Sequence, residues 1–250
     1  MISPSELEKI IFEIAPPELA EEWDNVGLLI DCGHTADRIL FTLDASVDAI
    51  VEAEELGCNI IVTHHPVIFH PLKRIVFGSA VETAVRKGIS VISAHTNFDS
   101  ADNGINDVLC GLLGLKDVRK SSRMFRVGTV PGSPVSLDVF SSFVKEKLAL
   151  SSVSVADAGK PVKNVMVLGG AGGSYFAEAK SLGCDTLLTG EASHDEGIDS
   201  VIAGINIVAA GHFGSENPGM PVFCELVQKR LGSRADCFLS IRNRDPFSIK

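Results

Sequence analysis

Residues 39–65 read ILFTLDASVDAIVEAEELGCNIIVTHH, and residues 165–191, which lie 126 positions further on, read VMVLGGAGGSYFAEAKSLGCDTLLTGE. Identities fall at Ala45/Ala171, Glu52/Glu178, Ala53/Ala179, Leu56/Leu182, Gly57/Gly183, Cys58/Cys184 and Thr63/Thr189. Each stretch is an apolar run, then a helix-like segment closed by glycine, then a second apolar run, the pattern of strand, helix and strand. An offset of 116 residues next sets GISVISAH (88–95) against GINIVAAG (204–211). The fold class expected is α/β, with two similar lobes forming an internal pseudo-repeat.

Outward from this core, Ser3-Pro4-Ser5-Glu6 reads as the capped start of a first helix that Pro16-Pro17 ends. Helices are expected over 47–57, 79–87 and 104–114, and strands over 59–63 and 89–94. The division expected is an N-terminal lobe over 1–115, a connector over 116–162 and a C-terminal lobe over 163–250. Inside the connector, MFRVGTV reads as a strand, SLDVFSSFVKEKLAL as a helix, and SSVSVADAGKPVK as a polar strand and turn.

Composition narrows the function. The chain has 250 residues, 45% of them hydrophobic and 22% charged, which suits a globular protein and excludes wholesale disorder. Its net charge of −10 disfavours DNA as a partner through long-range repulsion. The longest charge-free stretches, 57–72 and 200–215, fall short of a membrane span. The N-terminal residues lack the basic start of a secretory signal. Six cysteines without a CxxC pair fit a reducing compartment, so a cytoplasmic location is expected.

In α/β sheets ligands gather at the carboxyl ends of the strands. Here NIIVT is followed by His64 and His65, and ISVISA by His95 and then Asp99. TLLT is followed by Gly190 and Glu191, with His194 just beyond, and INIVAA by Gly211, His212 and Glu216. A histidine pair at a strand end suits two metal ions held ~3.5–4 Å apart, one imidazole on each. Carboxylates at Asp99 and Glu216 would complete the shells, and His212 and Glu216 meet on one face if the turn between them is helical. Mixed imidazole and carboxylate ligation suits zinc, iron or manganese. His34 and His70 read as ordinary loop residues, Asp44 as a helix N-cap, and Cys58 and Cys184 as core. The rival is a dinucleotide loop at VLGGAGGSYF, but the third glycine of G-x-G-x-x-G would fall at Tyr175, so that signal is weak.

In order, WDNVGLL, VTHHPVIF, SAHTNFDSADNGIND, LLTGEASH and AAGHFGSENPGM resemble the Nif-three-like dinuclear metal family, whose members are also called type-two homologues of GTP cyclohydrolase I. The resemblance runs through nearly the whole chain. It implies two α/β lobes with a dinuclear metal site in the cleft between them, and a homohexamer built from dimers. It matches His64, His65, Asp99, His212 and Glu216 to the family's metal ligands, and His95 and Glu191 to positions lining the same cleft. The function expected is that of a divalent-metal-dependent hydrolase with two ions, acting on a small molecule such as a nucleotide, with Glu191 and His95 as catalytic proton-transfer groups. The alternative is a hexameric regulatory or DNA-binding ring that bears metal without catalysis.

Overall fold

The computed structural model describes residues 1–121 and 124–248. From the N-terminus the chain forms α1 (Pro4–Ile14), β1 (Gly27–Ile30), β2 (Arg38–Thr42), α2 (Val47–Glu55), β3 (Ile60–Thr63), α3 (Ala80–Lys87), β4 (Ser90–Ser93) and α4 (Thr96–Ser100). It continues with α5 (Ile105–Leu112), β5 (Lys116–Lys120), β6 (Arg126–Thr129), α6 (Leu137–Lys147), β7 (Ser154–Ala156) and β8 (Asn164–Ala171). Then come α7 (Phe176–Ser181), β9 (Thr186–Glu191), α8 (His194–Ala203), β10 (Asn206–Ala209), α9 (His212–Glu216), α10 (Gly219–Leu231) and β11 (Asp236–Leu239). Among the described residues two compact units result, 1–104 with 220–244, and 105–219 with 245–248.

The first unit holds a sheet of order β1-β4-β3-β2-β11, parallel except for β1, which runs against β4. All of β3 and β4 is buried, as expected of parallel strands covered on both faces. Alternate residues serve opposite layers. Leu40, Ile61 and Val91 pack with Ile50 and Ala53 of α2 and Val81 and Ala84 of α3. On α10, Phe223 meets Phe41 edge-on at 5.5 Å and stacks on Phe98 at 4.2 Å between centroids. Ser3 caps α1 as expected, and with Glu6 it forms a capping box.

The second unit holds a sheet of order β5-β6-β8-β9-β10-β7. Its centre, β8, β9 and β10, is parallel, while β6 and β7 run antiparallel to their neighbours. Met166, Leu187 and Ile207 form its core with Ala179 of α7 and with Phe125 and Val127 beside and on β6.

The pseudo-repeat extends to the hydrogen-bond register. Ile39 pairs with Ile60 and Ile60 with Ser90; Val165 pairs with Thr186 and Thr186 with Asn206. The offsets of 126 and 116 read from the sequence carry each pair onto its counterpart. The repeated Leu-Gly-Cys explains itself in the same way. Gly57 and Gly183 take left-handed φ of 70° and 75°, and the N–H groups of Cys58 and Cys184 donate back to Ala53 and Ala179. This helix-closing motif turns the next side chain inward, and both cysteines are buried as expected.

The chain divides differently from the sequence expectation in two places. Residues 116–162 do not serve as a connector: the strand, helix and polar strand foreseen there form as β6, α6 and β7, and both strands belong to the second sheet. β5, exposed along its whole length, is its outer edge; edge strands read as polar and irregular, which is why the segment resembles a linker. The C-terminal lobe also gives up residues 220–244. α10 and β11 return to the first unit, where β11 pairs with β2, because the exposed edge of β2 and the apolar surface around Phe41 and Phe98 require cover.

Candidate metal centre

In the first unit, three histidines follow the carboxyl ends of β3 and β4. His64 is fully buried and His65 and His95 are partly so. Each Nδ1 faces an oxygen that can only accept: Ala94 O at 2.9 Å from His64, Asp44 Oδ1 at 2.7 Å from His65, and Asp24 Oδ1 at 2.8 Å from His95. The hydrogen therefore sits on Nδ1 in all three rings, and Nε2 carries the lone pair a metal needs. Ligand atoms of the three rings lie within 4.8 Å of one another.

The surrounding hydroxyls hold this geometry. Thr63 Oγ1 shares a 2.7 Å hydrogen bond with Ser93 Oγ and reaches the His65 carbonyl at 2.8 Å. Asp24 accepts from the backbone N–H of Thr96 at 3.0 Å and from its hydroxyl. Burial alone would raise the Asp24 pKa, but hydrogen bonding from His95, its charge, and Thr96 outweigh it and bring the group down to about 2. Asp99, on α4, is buried with Oδ1 3.7 Å from His64 Nε2.

In the second unit the turn after β10 is helical, so His212 and Glu216 meet as expected, with Nε2 and Oε2 3.2 Å apart. His212 Nδ1 lies 3.3 Å from Oε2 of Glu191, which is exposed at the end of β9. Glu216 is buried. Gly169 and Gly170 of VLGGAGGSYF stand beside it: a Cβ on Gly170 would meet Glu216 Oε1, while further along the loop one on Gly172 would meet Thr189 Oγ1. Their bareness makes room for side chains, which accounts for this loop without a phosphate.

The donor set fits a divalent cation. His64 Nε2 faces Asp99 Oδ1 in one unit, and His212 Nε2 faces Glu216 Oε2 in the other. At His64 a lone pair opposite a carboxylate oxygen calls for a positive centre, and nitrogen with oxygen donors suits zinc, iron or manganese.

Asp44 corrects the sequence reading. Ser46 caps α2, through its hydroxyl on the Ala49 N–H, and Asp44 holds His65 instead. Its position just beyond β2 was the available signal. Asp24 was missed as a holder of His95, and 71 residues separate the two. His34 and His70 are exposed loop residues, and His194 opens α8 exposed to solvent, capped by Ser193.

Fold and donors together define a two-unit α/β protein with imidazole and carboxylate groups at its strand ends. Residues 2–246 match the Duf34/NIF3 (NGG1p interacting factor 3) family, and the chain belongs to it. A relative from Clostridium perfringens named "GTP cyclohydrolase 1 type 2 homolog" is 32% identical over 259 residues, covering 98% of both chains. The "NIF3-like protein 1" of Drosophila melanogaster is 28% identical, covering 95% of this chain and 86% of its own. Among solved structures, a Bacillus cereus protein related to NIF3 superposes with a TM-score of 0.90 at 21% identity, covering 99% of each chain. Reduced HcgD from Methanocaldococcus jannaschii reaches 0.81 at 26% identity, covering 95% of this chain and 97% of its own.

Proposed function

We propose that this Duf34/NIF3 member is a divalent-metal-dependent hydrolase with a dinuclear centre, acting on a nucleotide. His64, His65, Asp99, His212 and Glu216 would hold two ions of zinc, iron or manganese. The observation that carries the reading is the shared tautomer of His64, His65 and His95, each with Nδ1 against an accepting oxygen and so with its lone pair on Nε2. The names of relatives supply the nucleotide and the GTP cyclohydrolase-like chemistry.

Bound ions supply Lewis acidity toward a water molecule and a substrate oxygen. The protein's own groups do the rest. Glu191, exposed at its strand end, takes a proton at a carboxylate oxygen and returns it to the leaving group. His95, held at Nδ1 by Asp24, is the alternative group for that same proton transfer. Asp44 orients His65. We further propose a homohexamer, for which light scattering should give six times 26.5 kDa, and a cytoplasmic location, which six free thiols suit. Among the described residues no helix is long and apolar enough to cross a membrane.

Elemental analysis of gently purified protein tests the reading. About two divalent ions per chain are expected. Recovering none after reconstitution with zinc, iron or manganese would overturn it.

A further inference from the structure

We infer that Trp23 and Phe69 form a stacking platform for the planar heteroaromatic ring of the substrate, beside His95 in the first unit. The two rings lie 5.8 Å apart between centroids and are tilted by 48°. Each also approaches the His95 imidazole, at 6.1 Å and 6.2 Å. Both are open, Trp23 at 55% and Phe69 at 40% exposure, whereas His95 is largely covered.

Hydrogen bonds tie down the chain around both rings. The turn carrying Trp23 is tied to the start of α4 by Glu21 N–H donating to Thr96 Oγ1, and by Asp24 bound to both His95 and Thr96. On its other side Asn25 Nδ2 donates to the Ile68 carbonyl at 2.6 Å, fixing the backbone next to Phe69. Polar groups anchor the turn while the indole is left outside. An isolated exposed aromatic needs no explanation, but two rings fixed around one histidine of a donor cluster form a site. Aromatic faces of this kind accept any planar base, because every base has a π-face. Choosing a nucleobase over other planar rings rests on the proposed nucleotide substrate.

Trp23 is the chain's single tryptophan, so its fluorescence in the full-length, metal-loaded protein reports on this place alone. Titration with GTP and with guanosine, corrected for absorption against free tryptophan, should quench it saturably, and ribose 5-phosphate should not. Phe69→Ala and the volume-preserving Phe69→Leu should raise the half-saturating concentration roughly ten- to a hundredfold. Three results would overturn the platform: no quenching by either purine compound, equal quenching by ribose 5-phosphate, or Phe69 variants with unchanged half-saturation. Loss of quenching in protein that still carries two ions defeats the platform and spares the metal reading. Quenching that survives in a metal-free His64→Ala/His65→Ala variant upholds the platform independently of the metal.

Discussion

A β-carbon added to Gly170 would stand 2.3 Å from Oε1 of Glu216. Gly170 also has a left-handed φ of 67°, which disfavours any side chain by roughly 1–2 kcal/mol. The glycine at the end of β8 therefore makes room for a buried carboxylate proposed to bind metal. Gly170→Ala should lower the melting temperature and reduce the metal content per chain. Thermal unfolding and elemental analysis of one preparation check this, and full metal occupancy would contradict it.

Asp44 fixes His65 at 2.7 Å, and partners of this kind commonly contribute ~10–100-fold to metal affinity. Asp44→Ala should weaken binding by that order in competition with a calibrated chelator. Asp44→Asn should lose less, since the amide oxygen still accepts from Nδ1. Equal affinity of all three proteins would remove Asp44 from the site.

The two glutamates near His212 should separate by readout. Glu191→Gln keeps shape and hydrogen bonding but loses the base, so metal should persist while hydrolysis falls ~100–10,000-fold. Glu216→Gln should lose metal, because a neutral amide ligates poorly and balances no charge. The opposite pattern would reverse the proposed roles.

Arg126 is buried in the second unit, where its guanidinium pairs with Asp107 and donates to the Met124 carbonyl at 3.1 Å. Removing one partner of a buried ion pair costs about 3–5 kcal/mol. Partial exposure of Asp107 places Arg126→Ala at or below the lower end of that range. Denaturant unfolding measures it, and a change within about 0.5 kcal/mol, the range of ordinary surface substitutions, would show the pair to be dispensable.

The sequence by itself determined the two strand–helix–strand cores and the strand ends that carry His64, His65, His95, His212 and Glu191. These features are local: apolar period, the Leu-Gly-Cys helix closure and strand length lie within short windows, and the 126-residue offset already contained the register of Ile39 on Ile60 and Val165 on Thr186. Tertiary structure alone decided that β11 returns to β2 and that the strands of 116–162 join the second sheet. The edge a strand covers depends on apolar surface contributed by residues far away in the chain. It alone also decided that Asp44 holds His65 rather than capping α2, and that Asp24 reaches His95 across 71 residues. A carboxylate's task is set by the donor a hydrogen bond's length away, and folding brings that donor there.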